Sequence, residues 1–195
     1  LPGIAFLVMM AGPGTGLDQL MLSQRRLIGS QIGQSELQLD RAEPIMKAVF
    51  EAVKNAATPE AGREAARAVL TPAAMTMLGA GGANPDTVLD QFAGPWFSYF
   101  LKYDPVPNLE RIKVPVLALD GSLDRQVPPE ANLAAIKAAL ADNPDATTWE
   151  LPGLNHLFQT AKTGAVGEYA DIPETVAPIA LQTMGDWLVQ RFVRK

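Results

Sequence analysis

Val114-Pro-Val-Leu-Ala-Leu-Asp-Gly-Ser-Leu-Asp124-Arg-Gln-Val-Pro128 decides the architecture. From Val114 to Leu119 the run is apolar without alternation, which predicts a strand covered on both faces, as in a parallel sheet. Turn-forming residues, Asp120-Gly121-Ser122, stop that strand and present Asp124. Glu130 to Ala141 then repeats Leu133, Ile136 and Leu140 at helical spacing, and Thr147 to Leu151 predicts the next strand. The chain's one histidine stands just past it, in Leu151-Pro-Gly-Leu-Asn-His156-Leu-Phe-Gln159. Strands alternating with helices imply right-handed crossovers and a mostly parallel sheet. Asp124 and His156 then emerge at the carboxyl edge, where open α/β sheets place their ligand sites.

Working outward, Ile4 to Met10 predicts another strand buried on both faces, ended by Ala11-Gly-Pro-Gly-Thr-Gly16. That glycine-rich turn lacks the Gly-Lys-Ser/Thr ending of a phosphate loop and reads as a strand-to-helix turn into Leu17 to Leu27. Residues 34–94 are alanine-rich and helical in pattern, with Thr58-Pro59 and Thr71-Pro72 as helix starts. This block reads as a helical cap inserted between strands, over the carboxyl edge of the sheet. Residues 1–33 and 95–195 read as core. Met46, Met75, Met77 and the cluster Trp96, Phe97, Tyr99 and Phe100 either pack or line an acyl pocket. A final helix from about Pro173 to Val193 carries Ile179, Met184, Trp187, Leu188 and Phe192 on one side, and Arg191, Arg194 and Lys195 form a solvated end.

Composition narrows the classes. A chain of 195 residues with 48% apolar and 19% charged residues is an ordinary globular one. A formal charge of −5 with scattered basic residues argues against a nucleic-acid partner. The longest unbroken apolar run, Ile4 to Ala11, is far too short to span a bilayer. The absence of cysteine excludes disulfides and thiolate metal sites, and with one histidine it leaves too few ligands for metal-assisted hydrolysis. No cofactor motif is present, and the compartment is left open. Leu1 in place of Met, directly ahead of a strand, predicts a piece of a longer polypeptide.

An acid followed by a histidine, each after a buried strand, is the second half of a Ser…Asp…His arrangement. In acyl transfer the imidazole takes the proton of a serine hydroxyl and returns it to the leaving group. A carboxylate on the far ring nitrogen fixes the tautomer. Asp124 is the candidate acid and His156 the candidate base. Asp120 competes for the acid role but lies nearer the strand end, where it supports the turn; Asp171 and Glu174 follow His156 and break the order. The nucleophile is missing. Gly33-Gln-Ser35-Glu-Leu37 has leucine where an elbow needs glycine, and no strand precedes it. Ser23, Ser30, Ser98 and Ser122 have no elbow context.

Leu101-Lys-Tyr-Asp-Pro105, the Val114 to Pro128 segment and the Leu151 to Gln159 segment together resemble bacterial α/β-hydrolase esterases of the EstD-like group. Met9-Met-Ala-Gly-Pro-Gly14 with Leu20-Met-Leu-Ser-Gln24 is similar to the strand and helix that follow the nucleophile elbow in that group. The resemblance implies the carboxyl-terminal part of an α/β-hydrolase fold with an α-helical cap, and a carboxylesterase acting on short acyl esters. It implies Asp124 as triad acid, His156 as general base, and a nucleophilic serine upstream of residue 1. An open hydrophobic edge on the first strand predicts either the upstream half of the same hydrolase or a homodimer as partner. A serine peptidase of the same superfamily, or a non-catalytic ligand-binding module, fits the same residues.

Overall fold

A computed structural model describes residues 3–193. The fold is α/β: a small parallel sheet of three strands flanked by helices, in the order β1 (Leu7–Met10), β2 (Val116–Gly121), β3 (Ala146–Leu151). Residues 3–15 and 105–193 form one compact unit and Gly16–Asp104 another.

In the sheet unit, β2 is central and every one of its residues is buried. Its alternation sorts the core into two layers. Leu117 and Leu119 face one side and pack with Leu151, Leu154, Phe158, Ala177, Ala180 and Trp187, the last three from helix α9 (Pro178–Phe192) and its cap. Val116 and Ala118 face the other side, against Leu109 of the short helix α7 (Val106–Leu109) and Ile136 and Ala139 of α8 (Pro129–Ala139). Each buried aliphatic side chain contributes about 1.5–3 kcal/mol, so both layers fix the level at which β2 ends.

The expected strand from Ile4 to Met10 is shorter, Leu7–Met10, and it is half-buried, with Met10 40% exposed. It is an edge: among the described residues its one strand neighbour is β2, in the register Leu7↔Val116. The glycine-rich turn after it is occupied. The Gly14 and Thr15 amides both donate to Asn132 Oδ1 on α8, at 2.9 and 3.3 Å, so the amides a phosphate would need are already used. Gly14 is required there because a Cβ would lie 2.3 Å from the Asn132 carbonyl oxygen.

The last helix starts at Pro178, later than the periodicity predicts, because a 3₁₀ segment, Val166–Asp171, and an irregular stretch precede it. Ile179 and Phe192 are exposed, and the buried side of the helix centres on Trp187. Arg191 is no solvated end. Its guanidinium lies 4.4 Å above the Trp187 ring and forks onto Asp145 at 2.7 and 2.9 Å. Arg194 and Lys195, expected to continue that end, lie outside the described residues.

The second unit is helical: α1 (Leu17–Gln31), α2 (Glu36–Asn55), α3 (Pro59–Val69), α4 (Pro72–Met77), α5 (Asp86–Phe92) and α6 (Pro95–Lys102). Thr58 and Thr71 cap α3 and α4, each with proline at the first turn. Ser35 is a helix cap too. Its hydroxyl accepts the Gln38 amide while the Gln38 side chain accepts the Ser35 amide, a complete capping box. Met46, Met75 and Phe97 are buried with Phe50, Leu89 and Leu101 in this unit's own core, whereas Met77, Trp96 and Tyr99 are exposed. No helix of the described residues is long and apolar enough to cross a membrane.

Candidate active site

β2 delivers Asp124 and β3 delivers His156. The two strands pair in parallel from Val116↔Ala146 to Gly121↔Leu151, so both end at the same edge. Beyond that edge the two connections bond to each other. The Ser122 amide donates to the Leu151 carbonyl, and the Leu123 amide to the Leu154 carbonyl, both at 2.9 Å. The Gly153 amide donates to Ser122 Oγ at 2.8 Å.

Gly121 makes this approach possible. A Cβ there would lie 2.2 Å from the Leu154 carbonyl oxygen, inside any van der Waals contact. The glycine that reads as a turn residue is thus a packing requirement: it lets the histidine loop cross directly over the end of β2.

The result is a contact between the two predicted residues. His156 Nδ1 lies 2.7 Å from Asp124 Oδ2. Asp124 is buried, and its other oxygen accepts the backbone amides of Gln126 and Val127 at 2.7 and 2.8 Å. Three donors on two oxygens fix the carboxylate plane. The His156 side chain is 26% exposed, and Nε2 has no hydrogen-bond partner among the described residues. In the tautomer that donates Nδ1–H to Asp124, the lone pair lies on Nε2.

Asn155 is the residue sequence reasoning missed. It is fully buried, its Oδ1 accepts the Leu157 and Gln159 amides at 3.0 Å each, and its Nδ2 donates to Gln159 Oε1 at 2.9 Å. This side chain winds the loop around His156 as a local turn. Phe158 takes a left-handed φ of 60° within it, held by burial, by its amide on the Asn155 carbonyl at 2.9 Å, and by its own carbonyl, which accepts the Ala177 amide at 2.7 Å. The only signal in the sequence was an Asn immediately before the histidine. Tyr169 is a second such residue. Its hydroxyl meets Gln126 Nε2 at 3.2 Å and the His156 backbone amide, and burial is the main reason its phenol is held above the usual range.

Asp120 also lies at this edge, fully buried, its Oδ1 accepting the Gly121 amide at 2.8 Å. Asp171 and Glu174 make no contact with His156 among those described. Glu174 instead bonds Thr160, and hydrogen bonds from that residue's side chain first and its amide second hold the Glu174 carboxyl below the ordinary range. None of the chain's five serines is set up as a nucleophile. Ser35 caps α2, Ser122 accepts from Gly153, Ser98 is buried in the helical unit, and Ser23 and Ser30 are exposed on α1. A cavity of about 260 Å³ lined by Arg25, Gln34, Gln38, Arg41 and Thr76 lies in the helical unit and contains neither candidate residue.

No family model matches this chain, and no curated protein matches it. Among solved structures, the esterase RhEst1 from Rhodococcus sp. is similar with a TM-score of 0.35 and 17% sequence identity. That similarity covers 96% of this chain and 56% of the esterase, so the chain spans little more than half the esterase's length.

Proposed function

We propose that Asp124 and His156 are the acid and the base of a serine hydrolase acting on carboxylic esters with short acyl groups. The observation that carries this reading is the 2.7 Å bond between His156 Nδ1 and a buried, three-fold hydrogen-bonded Asp124, with Nε2 of the partly exposed ring left without a partner among the described residues. In this reading His156 Nε2 takes the proton of a serine hydroxyl as it attacks the ester carbonyl, then returns it to the departing alkoxide. Asp124 holds the imidazole in the required tautomer and stabilises the imidazolium formed between those steps.

The serine belongs to residues outside these 195, since the chain's own serines are caps, turn acceptors, core or helix-surface residues.

The test is a serine-directed fluorophosphonate applied to the purified protein together with any companion polypeptide, read by denaturing intact mass. A single adduct that disappears with His156→Ala supports the reading. The material should also turn over short-chain p-nitrophenyl esters, with His156→Ala and Asp124→Asn each lowering turnover on the order of 10⁴-fold or more. No adduct and no turnover would refute it in favour of a ligand-binding module. Faster cleavage of aminoacyl amides than of esters would place the chemistry with peptidases.

A further inference from the structure

Two carboxyl groups share the end of β2. Asp120 belongs to the strand, and Asp124 follows the turn Gly121-Ser122-Leu123, its amide donating back to the Gly121 carbonyl at 2.9 Å. Neither side chain has meaningful exposure: the residues are 0% and 1% exposed. Both oxygens of Asp124 have donors, two amides on Oδ1 and His156 on Oδ2. Asp120 differs. Its Oδ1 accepts the Gly121 amide, but its buried Oδ2 meets no donor among the described residues.

An ionised Asp120 would therefore be a buried negative oxygen without a donor, beside a second carboxylate. One proton removes both penalties, because a protonated Asp120 carboxyl hydrogen-bonds to Asp124. Burial, then the charge of Asp124, then the hydrogen bond to it push the Asp120 carboxyl from its ordinary 3.8 up to about 9. Glu150 on β3 pushes in the same direction and the Gly121 amide opposes.

We propose that Asp120 is a neutral, proton-bearing carboxyl whose hydroxyl donates to Asp124 and so positions the acid behind His156, a role that rests on the hydrolase reading of this site. Asp120 touches neither the imidazole nor a substrate. It is a positioning residue, and the same proton keeps a single negative charge behind the ring. Loss of that proton at alkaline pH sets two carboxylates against each other and releases Asp124 from its inner donor. The charged and titratable groups facing the pair are His156, Glu150 and, through its hydroxyl, Tyr169.

Because the chain has one histidine, the proposal can be tested without turnover. Carbon-13 carboxyl labelling of aspartate should show Asp120 protonated at neutral pH and titrating near 9. The imidazole nitrogen signals of His156 should step at the same pH. Asp120→Asn, whose amide supplies a permanent neutral donor, should remove that step while leaving the remaining amide spectrum in place. An Asp120 carboxyl that is ionised at neutral pH overturns the proposal. So does a His156 signal that is blind to Asp120 ionisation, or a step that survives in Asp120→Asn. Absence of esterase turnover would sink the hydrolase reading by a separate measurement and would leave these spectra unchanged.

Discussion

Replacing Asp120 by Asn should stabilise the fold, and by an amount that grows with pH. In the folded chain the Asp120 carboxyl keeps its proton to about 9, against an ordinary 3.8 when exposed. Between those values the folded state holds one proton more than the unfolded state, so stability falls as pH rises. The contribution is fully present below 3.8 and is lost by about 9. Each pH unit in that window is worth about 1.4 kcal/mol, and about three units separate 3.8 from neutrality. Asn releases no proton in either state and escapes this loss. On the folded side it keeps the same two contacts: its Oδ1 accepts the Gly121 amide as Asp120 does, and one Nδ2 hydrogen is donated toward Asp124. The advantage of Asp120→Asn is therefore up to about 4 kcal/mol at neutral pH, and smaller under acid conditions. Urea unfolding followed by tryptophan fluorescence, at several pH values from about 4 to about 8, measures it. A stability gap that does not widen with pH, or an Asn variant less stable throughout, would refute the assignment of the proton to Asp120.

Other consequences follow from the same edge. Gly121→Ala places a methyl group 2.2 Å from the Leu154 carbonyl oxygen, so the histidine loop must move away from β2. It should lower the melting temperature, with a loss on the order of 2 kcal/mol or more, and shift the His156 imidazole signals. A wild-type melting curve and unchanged imidazole signals would show that the crossing is looser than the geometry requires. The outer edge of β1 has no strand neighbour among the described residues, and Met10 is 40% exposed beside it. Multi-angle light scattering should therefore find self-association of the isolated chain, reduced by Met10→Lys; a concentration-independent monomer would count against that.

The parts of the fold that were legible in the sequence are those fixed by local pattern. β2 announces itself as an apolar run and β3 as a β-branched and aromatic one, and Thr58-Pro59 and Thr71-Pro72 start helices where their hydroxyls can cap. Asp124 and His156 were legible because each follows such a run, and they meet at 2.7 Å. What stayed hidden depends on contacts between segments far apart. The half-exposure of β1 depends on the single strand beside it, and its apolar residues cannot report that. Asp120 reads as a turn residue, because nothing local says that both its neighbours and its burial forbid a charge. Ser35 illustrates the opposite case. Its partner Gln38 is three residues away, and the capping box could have been read directly from the pair.

The connection between β1 and β2 has a consequence for the order of folding. Leu7 pairs with Val116, and the whole of Gly16–Asp104 lies in between, whereas Val116 pairs with Ala146 across a single helix. On a ribosome adding about 5–20 residues per second, β1 waits on the order of 5–20 s for its partner strand to be made. The helical unit is built from local contacts and can collapse in that interval, bringing distant chain positions closer before the sheet closes. β1 should then be the last strand to gain protection from hydrogen exchange during refolding.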